Sequence, residues 1–154
     1  MPYKSEIGKL GEEVACRYLV DNRFQIIQRN FRKKWGEIDI IAKSPDKTLV
    51  FIEVKTLFQG NPQIKEAIAL STDEEIRQLV KLPYRLGNSE IGSENWNPED
   101  QMTFQKIRKL KRTASLYAGK NQNLINDKKG WRIDLVALTI LNNVIRLNHY
   151  ENLL

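Results

Sequence analysis

Gly36-Glu37-Ile38-Asp39-Ile40-Ile41-Ala42 and Leu49-Val50-Phe51-Ile52-Glu53-Val54-Lys55 are separated by Lys43 and the polar stretch Ser44-Pro45-Asp46-Lys47-Thr48. Two runs rich in β-branched residues around a five-residue turn predict an antiparallel hairpin. The even positions Ile38, Ile40, Ala42, Val50, Ile52 and Val54 are all apolar. Side chains alternate along a strand, so this face is assigned to the core and the odd face to chemistry. Closure about Asp46 would set Asp39 across from Glu53 and Glu37 across from Lys55. Two carboxylates ~5 Å apart across a strand pair repel unless a proton or cation intervenes, and Mg²⁺ or Mn²⁺ would resolve the conflict. Lys55, on the same face, would stabilise charge on a reacting phosphate or orient the attacking water. The same residues also fit a solvated ion-pair face in which Lys55 satisfies Glu37 and Glu53.

Upstream, residues 3–22 read as a helix capped by Ser5, with Ile7, Leu10, Val14 and Tyr18 on one face. Gly8 and Gly11 each cost such a helix about 1 kcal/mol relative to Ala, which predicts a close approach by another backbone or a ligand. Glu12 falls at the edge of the apolar stripe and Glu13 points to solvent, so Glu12 can reach a site at the rim of the sheet. Residues 24–29 form a short strand, followed by a basic loop over 29–34.

Downstream, residues 103–118 predict a helix with Ile107, Leu110, Ala114 and Tyr117 inward and Gly119 as its stop. Lys106, Arg108, Lys109, Lys111 and Arg112 place five cations in seven residues of it, enough to track a phosphate backbone. Residues 131–141 and 144–150 are two further strands around Asn142-Asn143. The order is α, β, β, β, insertion, α, β, β.

The chain has 154 residues, 41% of them hydrophobic, which suits one domain with its own core. Its net charge of +6 is uneven: residues 60–100 carry −4 and the remaining chain +10. The acidic stretch, an insertion at about 60–98, holds a short helix over 73–81 capped by Ser71 or Thr72, with Ile76, Leu79 and Val80 as its apolar stripe. A third reading has this insertion dock a protein partner or cover the basic surface as an autoinhibitory flap. The sole cysteine, Cys16, excludes an internal disulfide or a thiolate zinc site and is assigned to packing. The sole histidine, His149, excludes multi-histidine metal cages and is assigned a structural role. No apolar run long enough to span a membrane and no apolar leader appear, so a cytoplasmic location is expected. Phe31, Trp35, Trp96, Tyr117 and Trp131 are assigned to core or rim rather than to base stacking.

The segment Gly36-Glu37-Ile38-Asp39 with Glu53-Val54-Lys55 resembles the PD-(D/E)XK nuclease signature. More closely, the chain resembles the YraN-type family of small bacterial proteins, which is similar to archaeal Holliday junction resolvases. The likeness rests on Gly8-Lys9-Leu10-Gly11-Glu12, Ala15, Tyr18-Leu19, Arg29-Asn30, Arg32 and the hairpin. It resumes at Lys106, Arg108-Lys109-Leu110, Ala114, Tyr117 and Arg132-Ile133-Asp134. Leu57 stands where the family often has Arg. The resemblance implies a restriction-endonuclease-like α/β fold, a mixed β-sheet flanked by α-helices. It implies metal-dependent hydrolysis of DNA phosphodiesters, extending to branched DNA. Glu12, Asp39, Glu53 and Lys55 would be catalytic, and Asp39, Glu53 and the Val54 carbonyl would hold Mg²⁺ or Mn²⁺. Arg29, Arg32, Lys33, Lys34 and the helix cations would grip the backbone, and Asp134 would orient Arg132 or a water. Resolvase relatives work as dimers, so a homodimer is among the expected states. The alternative is a nucleic-acid-binding or scaffolding protein that keeps the fold without cleavage.

Overall fold

Ser5 Oγ accepts the Gly8 N–H and opens helix α1 (Glu6–Asp21), as its capping preference predicts. The computed structural model describes residues 5–86 and 102–153. After α1 come strands β1 (Gln25–Lys33), β2 (Gly36–Lys43) and β3 (Leu49–Phe58), helices α2 (Pro62–Ala69) and α3 (Asp73–Leu79) and strand β4 (Tyr84–Leu86). Helix α4 (Phe104–Lys120) and strands β5 (Trp131–Ile140) and β6 (Ile145–Tyr150) complete the described order. The strands form one mixed sheet, β1-β2-β3-β5-β6-β4, in which β3–β5 and β6–β4 are parallel. Helices flank both faces, which gives the expected α/β class.

The hairpin register is the one centred on Asp46: Ala42 pairs with Val50, Ile41 with Phe51 and Ile40 with Ile52. The Asp46 carboxylate accepts bonds from Ser44 and from both the hydroxyl and the N–H of Thr48. Those bonds hold it below the usual carboxylate range and tie the turn.

The assignment of one hairpin face to the core is corrected. Ile40, Ala42, Val50 and Ile52 pack under α1 with Leu10, Val14 and Leu19, but odd-numbered Ile41, Leu49 and Phe51 are equally buried under α4 with Leu110, Ala114 and Tyr117. A strand joined in parallel to its neighbour is commonly covered on both faces, so β3 is apolar throughout its first half. Ile38 also leaves the expected face and joins the α4 cluster. The alternation breaks between Ile38 and Ile40, opposite the stretch of β1 where Asn30 has a φ of 51° and the pairs Arg29–Ile40 and Phe31–Ile38 keep one register.

The basic loop expected over 29–34 is likewise corrected. Residues 29–33 lie in β1 and pair with β2, leaving Lys34 and Trp35 as the turn. Gly119 does not stop α4: the helix runs to Lys120, where Asn121 donates its backbone N–H to the Ala118 carbonyl and its side-chain amide to that of Tyr117.

The described part of the acidic stretch is built into the fold. Thr72 caps α3 through a reciprocal box with Glu75, and Ile68 and Ile76 are buried in the α1 cluster. β4 pairs with β6 at the sheet edge. Residues 62–86 thus pack on the α1 side, away from α4, and not as a flap over it; Glu90, Glu94, Trp96, Glu99 and Asp100 lie outside the described residues. No described helix is long and apolar enough to cross a membrane.

Candidate active site

Asp39 and Glu53 sit where the β2–β3 ladder ends. Beyond the Ile40–Ile52 pair, Asp39 Oδ2 accepts the Val54 N–H at 2.8 Å, so a side chain takes over from the backbone acceptor. The N–H and C=O of one strand residue point to the same side, which turns the Val54 carbonyl toward Asp39 rather than toward β5. Both carboxylates are nearly buried, at 6% and 7% exposure.

Glu53 Oε1 receives two ammonium groups, Lys55 at 3.1 Å and Lys106 at 3.2 Å. Burial first, and then the charge of Asp39, raise the Glu53 pKa against the pull of these lysines. Burial opposes the charge of Lys55, but the carboxylates of Glu53 and Asp39 hold its pKa above the ordinary value. Burial and the adjacent Lys55 push Lys106 below that value. Two hard-oxygen carboxylates that still repel one another despite two cations suit Mg²⁺ or Mn²⁺, ions that take oxygen ligands and, for Mg²⁺, retain waters.

Glu53 opens into a cleft of about 420 Å³ walled by Arg32, Lys33 and Lys34 on one side and Lys106 and Lys109 on the other. Gly36 brings these walls together: a Cβ there would stand 2.1 Å from Thr113 Oγ1 of α4. Gly11 plays a comparable part on the opposite layer, where a Cβ would meet Thr56 Oγ1 at 1.8 Å; the close neighbour anticipated for it is thus a side chain.

Of the sequence-derived site residues, Asp39, Glu53 and Lys55 come together. Glu12 is buried on α1, where its charge acts on Cys16 and Arg29. Among the described residues no three His, Cys, Asp or Glu side chains form a ready ligand set, and Asp39 and Glu53 are the acids that act on one another. Glu37 does not face Lys55; it pairs with Arg32 at 3.5 Å. The reading as a solvated ion-pair face fails with it, because Glu53 is covered. Arg29 lies outside the cleft, bound at 2.7 Å by Glu13, which had been expected to face solvent. Lys33 stacks over Phe31, and Arg108, Lys111 and Arg112 stand on the outer face of α4.

Sequence reading missed Lys106 as a partner of Glu53. At 100° per residue it falls, with Lys109, on the flank of α4 next to buried Leu110 and Thr113, apart from the outward cations, and that angle was the available signal.

Asp134 belongs to a separate buried network. It accepts from Arg132 at 3.0 Å, from His149 Nε2 at 2.8 Å and from the Asn152 N–H at 2.9 Å, while His149 Nδ1 meets the Tyr18 hydroxyl at 3.1 Å. Burial opposes the Asp134 charge, but these bonds outweigh it and lower the pKa. His149 thus has the structural role assigned to it.

The model of the Uncharacterised protein family UPF0102 matches residues 11–85, running through α2 and α3 into β4. A UPF0102 protein of Caldicellulosiruptor bescii is 30% identical over 145 residues, covering 93% of this chain and 92% of its own. Another, from Caldicellulosiruptor saccharolyticus, is 31% identical over 149 residues, 97% of each chain. A UPF0102 protein of Campylobacter lari is 56% identical over 57 residues, 37% of this chain and 49% of its own.

Proposed function

Since the chain belongs to the uncharacterised protein family UPF0102, and its candidate site joins a buried carboxylate pair to a cation-lined cleft, we propose that it is a metal-dependent endonuclease hydrolysing DNA phosphodiesters. The observation that carries this reading is Glu53, which meets Asp39, Lys55 and Lys106 and opens into a cleft with four further cationic side chains, Arg32, Lys33, Lys34 and Lys109. Asp39 and Glu53 would hold Mg²⁺ or Mn²⁺, with the Val54 carbonyl on the same side. Such an ion, when bound, supplies a polarised phosphoryl oxygen and a more acidic water. Lys55, anchored beside Glu53, donates to the charge that develops on the phosphate. Arg32, Lys33, Lys34 and Lys109 hold flanking phosphates without reading bases. The likeness to resolvases makes branched DNA the first substrate to try.

A second reading, a DNA-binding protein that does not cleave, is favoured by one observation: Glu53 is already neutralised by two ammonium groups. Linear, flapped and four-way DNA incubated with Mn²⁺ distinguishes the two. Cleavage by the wild type that disappears in a folded Lys55→Ala variant supports the enzyme. DNA binding that survives Asp39→Ala, in a protein that neither binds Mn²⁺ nor cuts, supports the binding module.

A further inference from the structure

The two ammonium groups on Glu53 Oε1 are not equivalent. Lys55 is carried by β3 two residues from Glu53, and its side chain is 21% exposed. Lys106 stands in the first turn of α4 and is 41% exposed, at the cleft wall with Lys109 one turn further on. Its flexible four-carbon stem can carry the ammonium from Glu53 into the cleft while the helix stays in place.

Charge balance makes that movement consequential. Asp39, Glu53, Lys55 and Lys106 together are neutral, so a dication added among them would leave two uncompensated positive charges in a nearly buried place. Departure of one ammonium halves the excess, and one phosphodiester cancels the rest. We propose that Lys106 is a positioning residue shared between two anions: it neutralises Glu53 while the acid pair is free of a divalent cation, and passes to a backbone phosphate in the cleft when a cation takes Glu53. The proposal rests on the reading of Asp39 and Glu53 as a divalent-cation site. It makes cation and DNA binding mutually reinforcing, and by linkage the coupling is the same in both directions.

Two measurements on the full chain test it: calorimetric titration with Mn²⁺ alone, and binding of a labelled DNA duplex at several salt concentrations with and without Mn²⁺, the duplex being checked as uncut. Lys106→Gln, and Lys106→Met as a second variant, are expected to bind Mn²⁺ several-fold more tightly than wild type, because the competing ammonium is gone. Mn²⁺ should steepen the wild-type salt slope by about 0.9 more than the slope of either variant, the value of the one phosphate contact that Lys106 adds. Lys109→Gln should lose DNA affinity equally with and without Mn²⁺. Equal Mn²⁺ affinity in wild type and variants, or a Mn²⁺-dependent steepening as large in them as in the wild type, overturns this proposal alone. Absence of Mn²⁺ binding in all the proteins overturns the metal site and this proposal together.

Discussion

Asp39 Oδ2 lies 2.8 Å from the Val54 nitrogen, so the acid offered as a metal ligand also ends the β2–β3 ladder. One carboxylate oxygen is spent on the backbone and fixes where the other can point. A residue in this position has a structural duty and a chemical one, and substitution can separate them.

Asp39→Asn keeps an oxygen for the Val54 N–H and should cost less than about 1 kcal/mol, whereas Asp39→Ala removes that acceptor and should cost roughly 1–3 kcal/mol. Urea denaturation reads the difference. Both variants should lose any stabilisation by Mn²⁺. An Asn variant as unstable as the Ala variant would show that the hydrogen bond does not hold the strand end.

The two arginine and lysine positions that looked alike in sequence should behave differently toward DNA. Lys109→Ala removes a cleft cation and should lower the salt slope of duplex binding by about 0.9. Arg29→Ala should leave the slope unchanged, because that guanidinium is held by Glu13 on the α1 side. Equal losses would contradict the cleft as the binding path.

The buried Asp134 network sets a pH dependence. Its pKa is lower in the folded than in the unfolded chain, so its contribution is present above the unfolded value near 3.9 and is lost as pH falls through the folded one. Asp134→Asn should destabilise by about 3 kcal/mol at neutral pH, by breaking buried bonds to Arg132 and His149. The gap from wild type should narrow below roughly pH 4 in denaturation curves taken across pH.

Ile76 tests the standing of the acidic segment. Ile76 is 4% exposed and packs in the α1 cluster, so Ile76→Ala should lower stability by about 2–4 kcal/mol in chemical denaturation. A separable flap would show no change.

Much of the order of elements was legible because it depends on local pattern. Ser5 and Thr103 sit at helix starts as predicted, and the polar turn around Asp46 sets the hairpin register. Apart from the local helix stop at Gly119, the errors share a cause: each concerned what lies against a segment from elsewhere in the chain. Ile41 and Phe51 looked like the outer face until α4 covered them, and the cations of 29–33 looked like a loop until β2 paired with them. Residues 62–86 looked like an excursion because turn formers and acids conceal a three-residue edge strand.

By itself, the sequence determined the alternation that buries Ile40 and Ile52, the placement of Asp39 near Glu53, and the concentration of positive charge on the helix over 104–120. These follow from spacing along one chain, where strand period and helix angle are set by backbone geometry. The tertiary structure alone decided that Lys106 reaches Glu53 and that Arg29 is taken by Glu13. Those outcomes depend on how closely α1 and α4 approach the sheet, which Thr56 against Gly11 and Thr113 against Gly36 settle through space rather than along the chain.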